Sequence, residues 1–106
     1  MRTAEPAPFL PTIVKLTQEA RETAAAELFA IEAVRIAITQ AAMAGKMKLF
    51  LRPKSPLDLQ QTDAAKALVA HLADLGLTTF WHPFSLDQGG RSESGTELEI
   101  SWHKAG

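Results

Sequence analysis

TELEISW, residues 96–102, alternates strictly between polar and apolar side chains, which is the pattern of a strand with one buried face. Leu98, Ile100 and Trp102 fall on the apolar side, and Glu97 and Glu99 fall on the other. A strand of this kind needs neighbours that bury the same side. The rest of the chain is therefore expected to supply further strands beside it and helices over its apolar face.

Two further strands are predicted at residues 46–52 and 77–82. In KMKLFLR, residues 46–52, apolar side chains alternate with Lys46, Lys48 and Arg52, and LTTFWH, residues 77–82, is rich in strand-forming residues. Opposite charges on neighbouring strands are worth about 0.2 to 1 kcal/mol, so lysines on one strand and glutamates on another favour pairing. We expect the third strand at the centre of the sheet. The order with the second strand at the centre stays open, because a solvent-exposed face also explains both sets of charged residues.

Two helices are predicted to complete the fold. Residues 17–44 contain neither Pro nor Gly, and Gly45 stands where a left-handed residue ends a helix, so this segment is expected to be one long helix. A second helix is expected to begin after Thr62 and to end at Gly76. The order of elements predicts an α+β fold of type αβαββ. We expect a two-layer sandwich with both helices on one face of a three-stranded sheet.

Three prolines, Pro6, Pro8 and Pro11, set residues 1–16 apart from the single domain expected over residues 17–106. Each proline removes a backbone donor and holds the residue before it extended, so an extended arm is predicted. Apolar side chains on an arm need a surface to lie on. The arm is therefore a candidate partner-binding segment through Phe9, Leu10, Ile13 and Val14. The alternative is an arm that folds back over its own subunit.

The predicted long helix is apolar around most of its circumference between residues 28 and 38, apart from Glu32, Arg35 and small alanines. A helix with one neighbour normally shows an apolar face only somewhat wider than about 100°. The helix is thus expected either to lie centrally in the fold or to meet a second copy of itself. We predict a homo-oligomer in which Phe29 and Ile36 contact the partner.

PFSLDQGGRSESG, residues 83–95, is polar and glycine-rich, and we expect it to form a flexible surface loop. Gly89, Gly90 and Arg91 make it a candidate ligand loop, because backbone donors and a guanidinium suit an anion. A phosphate-binding loop normally leads into a helix N-terminus, however, whereas these glycines precede a strand. A mobile loop without a ligand is the competing interpretation.

Composition excludes several classes of function. The 106 residues suit one domain, and a formal net charge of −1 gives no basic excess for nucleic acid. The absence of cysteine excludes disulfides, thiol catalysis and Cys-ligated metals. The opening residues lack the pattern of a signal peptide, and no uncharged apolar run approaches the roughly 18 residues of a membrane span. No membrane partner is therefore expected.

No catalytic constellation emerges from the titratable residues. His71 falls on the second helix, while His82 and His103 end different strands and would lie roughly 20 Å apart in an antiparallel hairpin. Ser92 and Ser94 lack the turn that exposes a catalytic serine. We expect no enzymatic activity, no metal and no cofactor.

Four short segments carry a resemblance to known proteins: QEARETA at 18–24, ITQAAMAGK at 38–46, LVAHLADLGL at 68–77 and EISW at 99–102. Together they resemble a widespread set of small bacteriophage-encoded proteins, with Leu77 standing where a tyrosine is usual in that set. The resemblance implies a phage origin and an αβαββ fold. It implies neither a function nor a catalytic residue for this chain.

Two functions are expected from these observations. The first is a non-enzymatic virion or assembly protein that acts through contacts with its own copies and with another phage structural protein. The second is a phage accessory protein that binds a host factor or sequesters a small signalling ligand at a subunit interface, using Arg52 or Arg91 and the loop glycines. The expected location is the virion, or the host cytoplasm during infection.

Overall fold

A single antiparallel sheet with helices on one face forms the fold. The computed structural model describes the backbone of residues 6–102 and the side chains of residues 9–87 and 89–102. Its strands follow the order β1-β3-β2, so the predicted central position of the third strand is confirmed, and so is the α+β sandwich. The elements are α1 (Pro6–Leu28), α2 (Ile31–Met43), β1 (Lys48–Leu51), α3 (Asp63–Asp74), β2 (Thr78–Gln88) and β3 (Arg91–Ser101).

The core lies between the sheet and the helices. Leu98 and Ile100 of β3 are fully buried, as the alternation of TELEISW predicts, and they share the core with Leu68 and Leu72 of α3. Helix α2 packs against β1, and α3 packs against β2. One face of the sheet is thereby covered, and the opposite face carries the alternate residues of each strand.

The extended arm predicted for residues 1–16 is wrong from residue 6 onward, because α1 already begins at Pro6. Proline is tolerated in the first turn of a helix, where the backbone N–H has no partner within the helix. Pro6 and Pro8 stand in that turn, and only Pro11 removes a hydrogen bond from the helix interior. Residues 1–5 lie outside the described residues. Residues 6–16 are thus an N-terminal continuation of the helix.

The single helix predicted over residues 17–44 is also wrong, because the chain leaves helical geometry at Ala30. Ala30 has φ −61° and ψ 120°, and α2 starts afresh at Ile31. No side chain caps this start. Directly before the break, Phe29, only 2% exposed, enters the core and meets Trp81 edge to face at 5.8 Å between ring centres.

This burial corrects the assignment of Phe29 to an interface between copies. Its ring is enclosed by its own subunit. The break at Ala30 explains much of the wide apolar surface expected for one long helix. It lets α1 and α2 pack different sides against one core. Ile36 differs, since it is 57% exposed on α2.

The flexible loop predicted at residues 83–95 is wrong as well, because β2 and β3 pair continuously up to Gln88 and Arg91. Gly89 and Gly90 form the two-residue turn, with φ values of +57° and +79°. A turn with positive φ at both central residues matches the twist of paired strands, and glycine adopts it without a steric penalty. Pro83 is accommodated because β2 is an edge strand.

Candidate functional site

The N-terminal half of α1 carries exposed apolar side chains. All residues from 9 to 21 are exposed, and the most apolar of them, Phe9, is 67% exposed. The principal dimensions of the described chain, 68 × 33 × 22 Å, fit a helix that projects from a small domain. We call the following five exposed side chains the N-terminal stripe: Phe9, Leu10, Ile13, Val14 and Leu16.

The stripe occupies one side of the helix. Its members recur at spacings of three and four residues, and at 100° per residue Lys15 lies on the opposite side. Further along α1, Ala25 and Leu28 pack into or against the core. The backbone N–H of Asp63 donates to both carboxylate oxygens of Glu22 at 3.2 Å, which ties α1 to the start of α3. The helix is thus anchored at its C-terminal end, while its described side chains from residue 9 to residue 21 are exposed.

A second exposed apolar surface lies on the uncovered face of the sheet. Phe50 on β1 and Phe80 on β2 flank the central strand, and the ring of His82 lies 6.0 Å from the first and 4.7 Å from the second. Phe80 is 60% exposed. We call this row, together with the charged side chains beside it, the open sheet face. It has the aromatic content that is typical of interaction surfaces.

The charges on the open sheet face are balanced by pairs. Glu99 on the central strand accepts contacts from two sides, with His82 Nε2 at 2.6 Å and Lys48 Nζ at 3.7 Å from its carboxylate oxygens. Arg52 donates to both oxygens of Glu97 at 3.1 and 3.3 Å. The same guanidinium lies 4.3 Å from the centre of the Phe84 ring. The cross-strand attraction inferred from the lysine and glutamate runs is therefore present.

These contacts favour the ionised form of the Glu99 carboxyl. The hydrogen bond from His82 is the main cause that holds the pKa of the Glu99 carboxyl below its ordinary value, and the charge of Lys48 acts in the same direction. Partial burial opposes both effects. The ionised carboxylate is thus favoured at the centre of the face.

A pH dependence of stability follows from this lowered pKa. Since the folded pKa lies below the unfolded value of about 4.3, the contribution of Glu99 is complete above that value and is lost as pH falls through the folded pKa. We expect the difference in unfolding free energy between the natural chain and Glu99→Gln to shrink from neutral pH to about pH 2.5. Urea titrations at both pH values measure it. An equal difference at both would contradict this origin.

The candidate ligand loop has a simpler structural explanation. Gly89 and Gly90 serve the turn, and Arg91 pairs with Gln88 beside it. Arg52 lies beside Glu97, six residues and roughly 20 Å along the strand from Arg91, so the structure does not bring the two arginines together. A separate cleft of about 420 Å³ lies between α1 and the segment after β1. It is lined by Ala24, Glu27, Leu28, Arg52, Pro53, Lys54, Ser55 and Leu57.

The histidines occupy different parts of the fold. His71 lies on α3, and His82 lies in the middle of β2 on the open sheet face, so the prediction that His82 ends its strand is wrong. His103 is outside the described residues. Within residues 6–102, no group of three or more histidine and acidic side chains has the geometry to hold a metal ion. Over the same range no helix is both long and apolar enough to cross a bilayer.

The open sheet face was missed at the sequence level, although a signal for it exists. Phe50 interrupts the polar side of its strand, and Phe80, His82 and Phe84 recur at every second position of the next strand along the chain. The three strands had to be extended and aligned before these side chains could be placed on one surface. Considered singly, each of these aromatic residues is explained by ordinary packing within the fold.

No protein-family model, no curated protein and no solved structure matches this chain.

Proposed function

We propose that this chain is a non-enzymatic assembly protein that binds copies of itself, and through them a further structural protein, by way of α1. The observation that carries the proposal is the N-terminal stripe. Its five large apolar side chains remain 40 to 67% exposed on a helix that projects from its own domain. Exposed apolar surface on this scale is typical of protein interaction sites.

The energetics favour burial of the stripe on a partner. Each of its side chains contributes roughly 1.5 to 3 kcal/mol when fully buried, before the costs of association are subtracted. Most of the stability of a helix in a protein comes from tertiary packing, and Pro11 lowers the intrinsic stability of the projecting part of α1. Docking would stabilise the helix and bury the stripe at once. Ile36, exposed on α2, offers a further apolar contact.

The biological setting we propose is a bacteriophage, with the protein acting in the virion or in the host cytoplasm during infection. This setting rests on the four short segments that resemble small phage-encoded proteins. A projecting helix that docks on a neighbour adds contact area without a larger core, which suits a chain of 106 residues.

The alternative function is a phage accessory protein that binds a host factor or a small ligand. The cleft beside α1 favours it, because its volume suits a small ligand and Lys54 lines it, although Arg52 in the same lining already pairs with Glu97. Glu27 in the same lining weakens that preference. The turn glycines no longer support it, since their conformation is explained by the hairpin.

Mass spectrometry of purified phage particles separates the two functions. We expect the chain to be present in particles in a fixed ratio to the major structural protein, because an assembly protein of the virion is incorporated stoichiometrically. Particles washed at high salt control for adherent cytoplasmic protein. A chain that is abundant in the infected cell but missing from the washed particles would favour the accessory function.

A further inference from the structure

We propose that the open sheet face of one copy is the docking surface for the N-terminal stripe of a second copy, so that subunits join head to tail. This inference rests on the proposed self-assembly and names the surface that receives the helix. It accounts for both exposed apolar surfaces of the chain with one contact.

The stripe cannot reach the open sheet face of its own subunit. Ala25 and Leu28 hold the far end of α1 on the covered side of the sheet, and Glu22 fixes it to α3. The helix continues without interruption from Pro6 to Leu28. A continuous helix anchored on one side of a sheet cannot bring its other end to the opposite face. The contact must therefore form between copies.

The two surfaces match in size. Phe50 and Phe80 lie on the outer strands, which are about 10 Å apart across the central strand. Residues 9–16 of the helix, which carry the stripe, span roughly 12 Å at 1.5 Å per residue. A third layer made by this helix would complete a helix, sheet and helix arrangement, which is a common way to cover an open sheet.

The two surfaces also match in charge. Residues 9–14, FLPTIV, contain no charged side chain. On the sheet, Lys48 and Arg52 are balanced by Glu99 and Glu97, so the aromatic row lies within a neutral surface. Single-stranded nucleic acid also stacks on aromatic rows, but it needs an excess of basic side chains along its backbone. The equal numbers of acids and bases favour an uncharged peptide surface over a polyanion.

A head-to-tail contact has a consequence that symmetric contacts lack. Each subunit uses two different surfaces, so the contact closes into a ring, of which a reciprocal pair is the smallest, or extends into an open filament. A variant that lacks the stripe keeps its open sheet face, and a variant that lacks the open sheet face keeps its stripe. They should fail to assemble alone and pair when mixed.

The experiment uses Leu10→Glu with Ile13→Glu as the helix variant and Phe50→Thr with Phe80→Thr as the sheet variant. Glutamate is compatible with a helix and threonine with a strand, so both folds should persist, which circular dichroism checks. We expect each variant alone to sediment as one chain of 11.5 kDa where the natural chain is larger. An equimolar mixture should contain a species of two chains and nothing larger.

Matched controls separate these effects from general changes in charge or apolar surface. Lys15→Glu places the same change in charge on the opposite side of the helix. Met43→Gln removes an apolar side chain that is 83% exposed and lies outside both surfaces. Both controls should assemble as the natural chain does. If the double sheet variant does not fold, Phe80→Thr alone provides the same measurement at the more exposed ring.

The outcomes are distinguishable. A sheet variant that assembles normally overturns this inference and leaves the proposed function standing, because the helices then pair with each other. Two monomeric variants that do not pair in the mixture also overturn it, as does an oligothymidylate that binds the natural chain and not the sheet variant. A natural chain that stays monomeric at every concentration overturns the proposed function itself.

Discussion

Phe29→Ala is expected to destabilise the folded domain by about 3 to 5 kcal/mol, a large fraction of the 5 to 15 kcal/mol that holds a typical domain together. The ring is 2% exposed and makes an edge-to-face contact with Trp81. Its removal takes away buried area and leaves a cavity at the junction of α1, α2 and β2. For a domain of this size, the thermal midpoint should fall by more than about 12 °C.

Ile36→Ala is the matched control, since Ile36 comes from the same apolar run and is 57% exposed. Its unfolding free energy should stay within about 0.5 kcal/mol of the natural value. Urea titration in dilute solution measures both variants without a contribution from assembly. Equal small effects at the two positions would show that Phe29 is not a core residue.

Local patterns in the sequence predicted the sheet well. The alternation around Leu98 and Ile100 fixed which side of β3 is buried, and the charges of Lys48 and Glu99 identified its neighbour. Gly45 and Gly76 end their helices with φ near +85°, as expected for left-handed terminal residues. These features depend on interactions within a few residues or between adjacent strands, which sequence reasoning can reach.

The errors arose where tertiary structure or turn geometry overrode local propensity. No Pro or Gly near Ala30 marks a helix break, and the break lies beside the tertiary contact of Phe29 with Trp81. The three N-terminal prolines suggested an extended chain, yet two of them stand in the first helical turn, where they cost little. The Gly89 and Gly90 pair was a recognisable two-residue hairpin signal that the polar flanks obscured.

The candidate site was predictable only in part. The apolar side chains of residues 9–16 were recognised as needing a partner, although their backbone was expected to be extended. The row of Phe50, Phe80 and His82 was not recognised, because it brings together residues from opposite edges of the sheet. The register of β1 and β2 on β3 had to be known first.

Deleting residues 1–16 is expected to leave a folded domain and to weaken self-association by at least about a hundredfold, or roughly 2.7 kcal/mol. The described side chains in this segment, residues 9–16, are exposed, so little core contact is lost. The deletion removes the whole N-terminal stripe, whose side chains each contribute roughly 1.5 to 3 kcal/mol when fully buried, before the costs of association are subtracted. The thermal midpoint of the dilute protein should change by only a few degrees.

Lys15→Glu in the full-length chain is the control for this deletion, since it changes charge in the same segment and leaves the stripe intact. It should associate as the natural chain does. A large fall in the thermal midpoint of the deleted chain, independent of concentration, would show instead that the segment stabilises its own subunit.

Sedimentation equilibrium of the full-length and deleted chains, from about 1 to 200 micromolar, tests the central claim that α1 assembles subunits. The account predicts a mass for the full chain that exceeds 11.5 kDa and rises with concentration, while the deleted chain keeps the mass of one subunit throughout. A full-length chain that stays at 11.5 kDa over the whole range would contradict it.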